Sequence, residues 1–142
     1  MVCGTVRHLA REMSKGNESV YAPYVNYLTE TQPPNQIPSG WSVPGQKLLR
    51  SFLGPEFPPE YPTKWLTDDW HDECDGERDE VSHHAALLVV QRAWDDLLIP
   101  LFNMMSHRNG PKLNTASNHV REGNSVKVTA KRLIEEGEQA IT

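Results

Sequence analysis

The sequence predicts an α+β chain: residues 1–80 form helices separated by long loops, and residues 81–142 join a central helix to a small sheet. Three features of the 142-residue chain lead there. Apolar residues recur at helical spacing near the start and again as the unbroken run Ala85-Ala86-Leu87-Leu88-Val89-Val90. Eight of the 11 prolines fall between 33 and 62, which excludes long regular elements from that stretch. Val126, Val128 and Ala130 alternate with Lys127, Thr129 and Lys131, the period of a half-buried strand.

Taken in order, Val6, Leu9, Ala10 and Met13 place one apolar stripe on a short helix that ends near Ser14-Lys15-Gly16. A second helix begins at Pro23, whose fixed φ and missing N–H suit a first turn, and it presents Tyr24, Tyr27 and Leu28 on one side. Within the proline-rich stretch only residues 45–53 can hold a short helix. Eight of the 19 acidic residues then crowd into positions 68–80 around Gly76, which predicts a solvated, mobile loop. The acids just before residue 81 suit the positive end of a helix dipole, and the helix they introduce, 81–94, is the candidate for a buried centre. After it, Leu97-Leu98-Ile99-Pro100-Leu101-Phe102 reads as core and Ser106-His107-Arg108-Asn109-Gly110 as a polar turn. A turn is expected at 135–138, and residues 139–142 read as the start of a returning strand.

Charge and hydropathy exclude several function classes. The formal net charge is -5 with scattered lysines and arginines, so no basic stripe exists to follow a phosphate backbone and nucleic acid is not an expected partner. Mean hydropathy is -0.59. No apolar run approaches the roughly 20 residues that cross a bilayer, and the first eight residues lack a signal-peptide h-region, so the chain reads as soluble and intracellular, with no membrane partner. Cys3 and Cys74 are the only cysteines. They form neither a CxxC pair nor a disulfide framework, which predicts a plain structural or surface role for both.

Histidines and carboxylates cluster at Asp68, Asp69, His71, Asp72, Glu73, Asp75, His83 and His84. Such ligands hold a divalent metal only if the backbone is rigid. Neither EF-hand nor His-Glu-x-x-His spacing is present, so no metal is expected there. His8 and His119 have no acid or nucleophile at a recognisable spacing, no Gly-x-Ser-x-Gly elbow occurs, and Gly-rich phosphate loops are missing.

One segment carries more. Residues 91–110, with Arg92 closing a helix and an apolar stretch running through Pro100 to Asn103, Ser106 and His107, resemble the core of SET protein methyltransferases of the Rubisco-lysine and actin-histidine type. In that family the turn reads Asp-x-x-Asn-His. Residues 17–28, with Glu18-Ser19 and Ala22-Pro23-Tyr24, are similar to the opening of the family's helical insert, and Gln36-Ile37-Pro38-Ser39-Gly40-Trp41 resembles the loop that follows. Residues 126–142, with Ala130-Lys131-Arg132 and Glu136-Gly137-Glu138, look like the strand and turn just before the family's Ser-Tyr-Gly motif. The matched pieces occur in order over most of the chain.

The resemblance implies a helical insert, residues 1–80, followed by the C-terminal part of a SET-type small-sheet (β-clip) core, residues 81–142. It implies S-adenosylmethionine as cofactor, a protein substrate methylated most often on lysine, and no metal. Arg92 would contact the donor's carboxylate, which a guanidinium fork matches bidentately. Ser106 and His107 would hold the donor through short polar contacts, and Asn103 would face the substrate. Two positions depart from the pattern: Asn103 replaces an aspartate and loses its charge, and Ser106 replaces an asparagine and loses an amide's paired donor and acceptor. The family's Gly-rich segment has no counterpart before Val6, and Tyr21, Tyr24, Tyr27 and Tyr61 all lie in the first half. The chain is therefore expected to be an incomplete SET domain, inactive alone. The alternative is a noncatalytic protein-interaction module derived from such a domain.

Overall fold

A computed structural model describes residues 3–34, 36–54, 64–94, 96–107, 110–118 and 125–142. The chain forms two compact units, residues 1–91 and 92–142. The first contains α1 (Cys3–Lys15), α2 (Ala22–Thr31), α3 (Val43–Leu53), a π-helix (Trp65–Glu73) and α4 (Glu80–Arg92). The second contains a 3-10 turn (Phe102–Met104) and two strands, β1 (Thr115–Ser117) and β2 (Val128–Ala130). The architecture is α+β, and α4, grouped by sequence with the second part, belongs with the first.

The period-3.6 readings produce helices. Val6 and Leu9 of α1 meet Val25 and Leu28 of α2 in the core. Glu12, one turn beyond Leu9, is also buried. It is tolerated because Lys15 Nζ (2.6 Å) and Ser19 Oγ (2.7 Å) both donate to its carboxylate, and these donors hold its pKa below the ordinary value. α3 starts two residues earlier than expected. Ser42 caps it, its Oγ accepting from Gly45 N, and Pro44 sits in the first turn, where no N–H is needed. Asp79 caps α4: its Oδ1 accepts from Ser82 N at 3.0 Å, which lowers its pKa. Residues Ala85 to Val89 are all buried, whereas Val90, the last of the apolar run, is 46% exposed, so only the middle of α4 is enclosed on every side.

The first part of the acidic stretch contradicts the sequence reading, whereas residues 75–79 form a largely exposed loop that leads into α4, as expected. Residues 65–73 are helical, not loop, because Leu66, Trp70 and Cys74 recur every fourth residue and are 6%, 0% and 5% exposed. The carboxylates face outward, all but the half-buried Asp69 being exposed. Nor are the cysteines separate: Cys3 and Cys74 form a disulfide with Cα atoms 5.4 Å apart, tying α1 to the end of the π-helix. The Trp70 indole is fixed on several sides. Its Nε1 donates to the Glu77 carbonyl at 3.0 Å, the Arg7 guanidinium lies 5.9 Å from its ring, and Gly76 packs so closely that a Cβ there would meet the ring at 2.2 Å. Arg7 also donates to the Cys74 carbonyl.

The second unit also departs from expectation. The apolar run 97–102 was predicted as core, yet Leu97 and Leu101 are 45% and 77% exposed and only Phe102 is buried. Two positive φ values, 71° at Asp96 and 69° at Leu101, turn the backbone too often for a strand, and Pro100 has no N–H to give a ladder. β2 forms where alternation predicted a strand and pairs antiparallel with β1, Thr115 opposite Ala130; its three residues are nevertheless all exposed. The expected turn closes with Glu138 N donating to Glu135 O at 3.0 Å and Gly137 at φ 79°. Tyr61, Asp95, Arg108, Asn109 and His119 lie outside the described residues.

Closing a separation of 71 residues, the disulfide is worth about 4 kcal/mol in the chain-entropy model. Non-reducing peptide mapping should recover Cys3 and Cys74 in one linked species, and dithiothreitol should lower the urea midpoint of the first unit. Free thiols at both positions in the unreduced protein would disprove the pairing.

Candidate functional site

The site begins where α4 ends. Arg92, half-buried, donates from Nη1 to the backbone carbonyl of Asn103 at 3.0 Å. Between them the chain makes a tight reversal, with Trp94 and Leu97 exchanging backbone hydrogen bonds of 2.8 and 3.0 Å, and the Trp94 ring stands edge-on to Phe102 at 5.4 Å. Leu101, at φ 69° and ψ -49°, occupies a γ-turn conformation that is rare for a side-chain-bearing residue. It starts the 3-10 turn that carries Asn103, whose side chain is 6% exposed.

Past Met105 the chain extends, and Ser106 forms an isolated parallel bridge with Ile141. The Ser106 carbonyl accepts from Thr142 N at 3.0 Å, and its Oγ accepts from Gln139 Nε2 at 2.7 Å. Ser106 and His107 are both exposed. Of the four residues singled out from sequence, Arg92 and Asn103 are in contact, Ser106 and His107 stand on the surface three and four positions further on, and Asn103 is buried in the turn.

Sequence reasoning missed the residue that organises this region. Asn114 is fully buried. Its Nδ2 donates to the Gln139 carbonyl at 2.9 Å and to Glu138 Oε1 at 3.2 Å, and its Oδ1 accepts from Ile141 N at 2.7 Å. Thr115 adds N and Oγ1 bonds to the Ile141 carbonyl, 3.1 and 2.8 Å. Beside it, Glu138 takes both Arg132 guanidinium nitrogens, Nη1 at 2.9 Å. The Arg132 fork, with the Glu135 backbone N–H, holds the Glu138 carboxyl down from its ordinary 4.5 to about 2. No local spacing signals Asn114; its partners lie 24 to 27 residues away.

Among the described residues no group of three or more His, Cys, Asp or Glu side chains could hold a metal ion, and no helix is long and apolar enough to cross a membrane.

Asn114→Ala should cost the second unit about 2–4 kcal/mol, since three hydrogen bonds go and Ile141 N–H and Gln139 C=O lose their partner. Hydrogen exchange at Ile141 and Thr142 should accelerate selectively; unchanged protection there would remove Asn114 from this role. For Glu138, the depressed folded-state pKa means that its contribution to stability is fully present above pH 4.5 and is lost as pH falls toward 2. Acid titration of the wild type should therefore show destabilisation across that window that Glu138→Gln lacks, and identical acid profiles would refute the pairing.

Neither a protein-family model, nor a curated protein, nor a solved structure matches the chain.

Proposed function

We propose that the chain is a fragment of a SET-type protein methyltransferase, with residues 92–142 carrying the donor-binding turn of a β-clip core, and that the parent transfers a methyl group from S-adenosylmethionine to a protein lysine. One observation carries the reading. Two of the segments on which the resemblance rests, 91–110 and 126–142, meet in one unit through the Ser106–Ile141 bridge, and within the first of them Arg92 contacts Asn103. A donor turn needs such joining, because its polar groups are useful only when held in fixed relative positions.

The residues fit the polar end of the donor. Arg92 offers a half-buried guanidinium, a match for a carboxylate, while Ser106 and His107 offer an exposed hydroxyl and imidazole. S-adenosylmethionine itself supplies an activated methyl on a sulfonium centre. Asn103 serves differently from the aspartate of the resemblance: buried, it positions Arg92 through its backbone carbonyl. No metal enters this chemistry. A second reading, a noncatalytic interaction module, is favoured by α3, none of whose residues is buried and whose Leu48 and Phe52 are 60% and 77% exposed one turn apart.

Isothermal titration of the full chain with S-adenosylmethionine separates the two. The methyltransferase reading expects saturable one-to-one binding that Arg92→Ala weakens about 10- to 100-fold, the worth of a charged hydrogen-bonded contact. Arg92→Lys should restore charge without restoring affinity, and Ser106→Asn should tighten binding by returning an amide. An absence of heat with the folded chain would leave the interaction module.

A further inference from the structure

The first unit brings together two side chains that its sequence holds 12 residues apart. His71, on the π-helix, and His83, on α4, approach with their Nε2 atoms 2.7 Å apart. The ring centroids are 4.8 Å apart and the planes tilted by 42°, so the rings meet at their nitrogen-bearing edges rather than stacking face to face. Both are half-buried. His84, the next residue, plays no part, because its Nε2 is committed to the Gln32 carbonyl at 2.7 Å.

Two imidazole nitrogens aimed at one point admit either a shared proton or a shared Lewis acid. With the proton, one ring carries Nε2–H and the other presents its lone pair. A metal ion needs both lone pairs: the shared proton moves to Nδ1 of its own ring, both rings become Nδ1–H tautomers, and the neutral pair releases no proton. Zn–N bonds of about 2.05 Å at a tetrahedral angle set the two nitrogens about 3.3 Å apart. From 2.7 Å the rings must part by roughly 0.6 Å, a change that side-chain torsions supply without moving either helix.

We infer that His71 and His83 form a two-histidine site for a late first-row divalent cation, with Zn²⁺, Ni²⁺ and Cu²⁺ as the ions of matching ligand preference. Imidazole selects these over Mg²⁺ and Ca²⁺, which take oxygen. Both ligands stand on secondary structure that is independently fixed: the π-helix by Trp70 and the Cys3–Cys74 disulfide, and α4 by its Asp79 cap. Among the described residues no third His, Cys, Asp or Glu completes a cage, so water takes the remaining positions. An open coordination sphere of this kind also accepts an exchangeable ligand from outside the chain.

Three measurements on the disulfide-intact chain of residues 1–142 test the inference. Zn²⁺ titration should give one ion per chain at pH 7.5, weakening in acid, because the ligands must be neutral. His71→Gln and His83→Gln should each weaken binding about 10-fold or more, since losing a ligand costs no less than losing its supporting shell, whereas His8→Gln should leave it unchanged. Substoichiometric Ni²⁺ or Cu²⁺ should broaden the ring Hε1 signals of His71 and His83 first in the wild-type protein, a readout that does not depend on any variant folding. Broadening confined to other histidines, undiminished binding in the double variant, or no uptake at 100-fold excess Zn²⁺ would each overturn it.

Discussion

Asn114 is the interaction on which the candidate site depends. The second unit has two described strands of three residues each, far too little sheet to satisfy its buried backbone. Asn114 makes up part of the deficit by acting as a strand residue on one side and as a side-chain peptide on the other. Its carbonyl accepts from Lys131 N at 2.8 Å, extending the β1–β2 ladder by one rung, while its side-chain amide accepts from Ile141 N and donates to the Gln139 carbonyl. Residues 139–142 are thus fastened by a buried amide together with the Thr115 and Ser106 bonds. Ile141 in turn bridges Ser106, so the position of the Ser106–His107 turn is set at two removes by a residue 8 positions further along the chain than Ser106 itself.

In the first unit the decisive competition is between charge repulsion and apolar burial. Eight carboxylates lie within residues 68–80, but nearly all are exposed, and repulsion between exposed charges a helical turn apart is below about 1 kcal/mol per pair in water. Burying the Trp70 indole, at 150–250 Å² for a large aromatic ring, is worth about 4–6 kcal/mol, with Leu66 adding to it. The disulfide then reduces the entropy of the alternatives. Helix wins over loop because the acids face water while the fourth-residue apolar series faces inward. Only glycine at position 76 lets the chain double back against the indole at that distance.

Sequence legibility follows the range of the physical signal. α1, α2 and α4 were readable because helical periodicity, Pro23 and the acids before residue 81 all act within a turn or two, and α3 because the prolines left only residues 45–53 for a helix. The π-helix was obscured by composition: counting carboxylates hid the spacing of Leu66, Trp70 and Cys74. The Cys3–Cys74 bond had no local signature at all, since the proximity of its ends depends on α1 being packed. The opposite error occurred at 97–102, where hydrophobicity suggested a core stretch but left-handed backbone at Asp96 and Leu101 turned Leu97 and Leu101 outward. At the candidate site, Arg92, Asn103, Ser106 and His107 were named from a stretch of resemblance confined to one 20-residue segment, and the structure brings Arg92 and Asn103 of the four into contact. Asn114, Gln139 and the Arg132–Glu138 pair act across the fold and were not.

The turn at Leu101 shows why the site residues gather as they do. A left-handed conformation at a leucine costs on the order of 1–3 kcal/mol and persists only where the surroundings fix it. Here Asn103 N donates to the Ile99 carbonyl and Met104 N to that of Leu101, while Phe102 packs edge-on against Trp94. Those contacts aim the Asn103 carbonyl at Arg92, and the guanidinium donates to it at 3.0 Å. A carboxylate arriving at Arg92 therefore has to share the guanidinium with the turn's own backbone. A planar fork with five N–H groups can serve a carbonyl and a carboxylate together, whereas the compact ammonium of lysine cannot preserve the geometry of both. The arrangement at position 92 thus depends on the shape of arginine as much as on its charge.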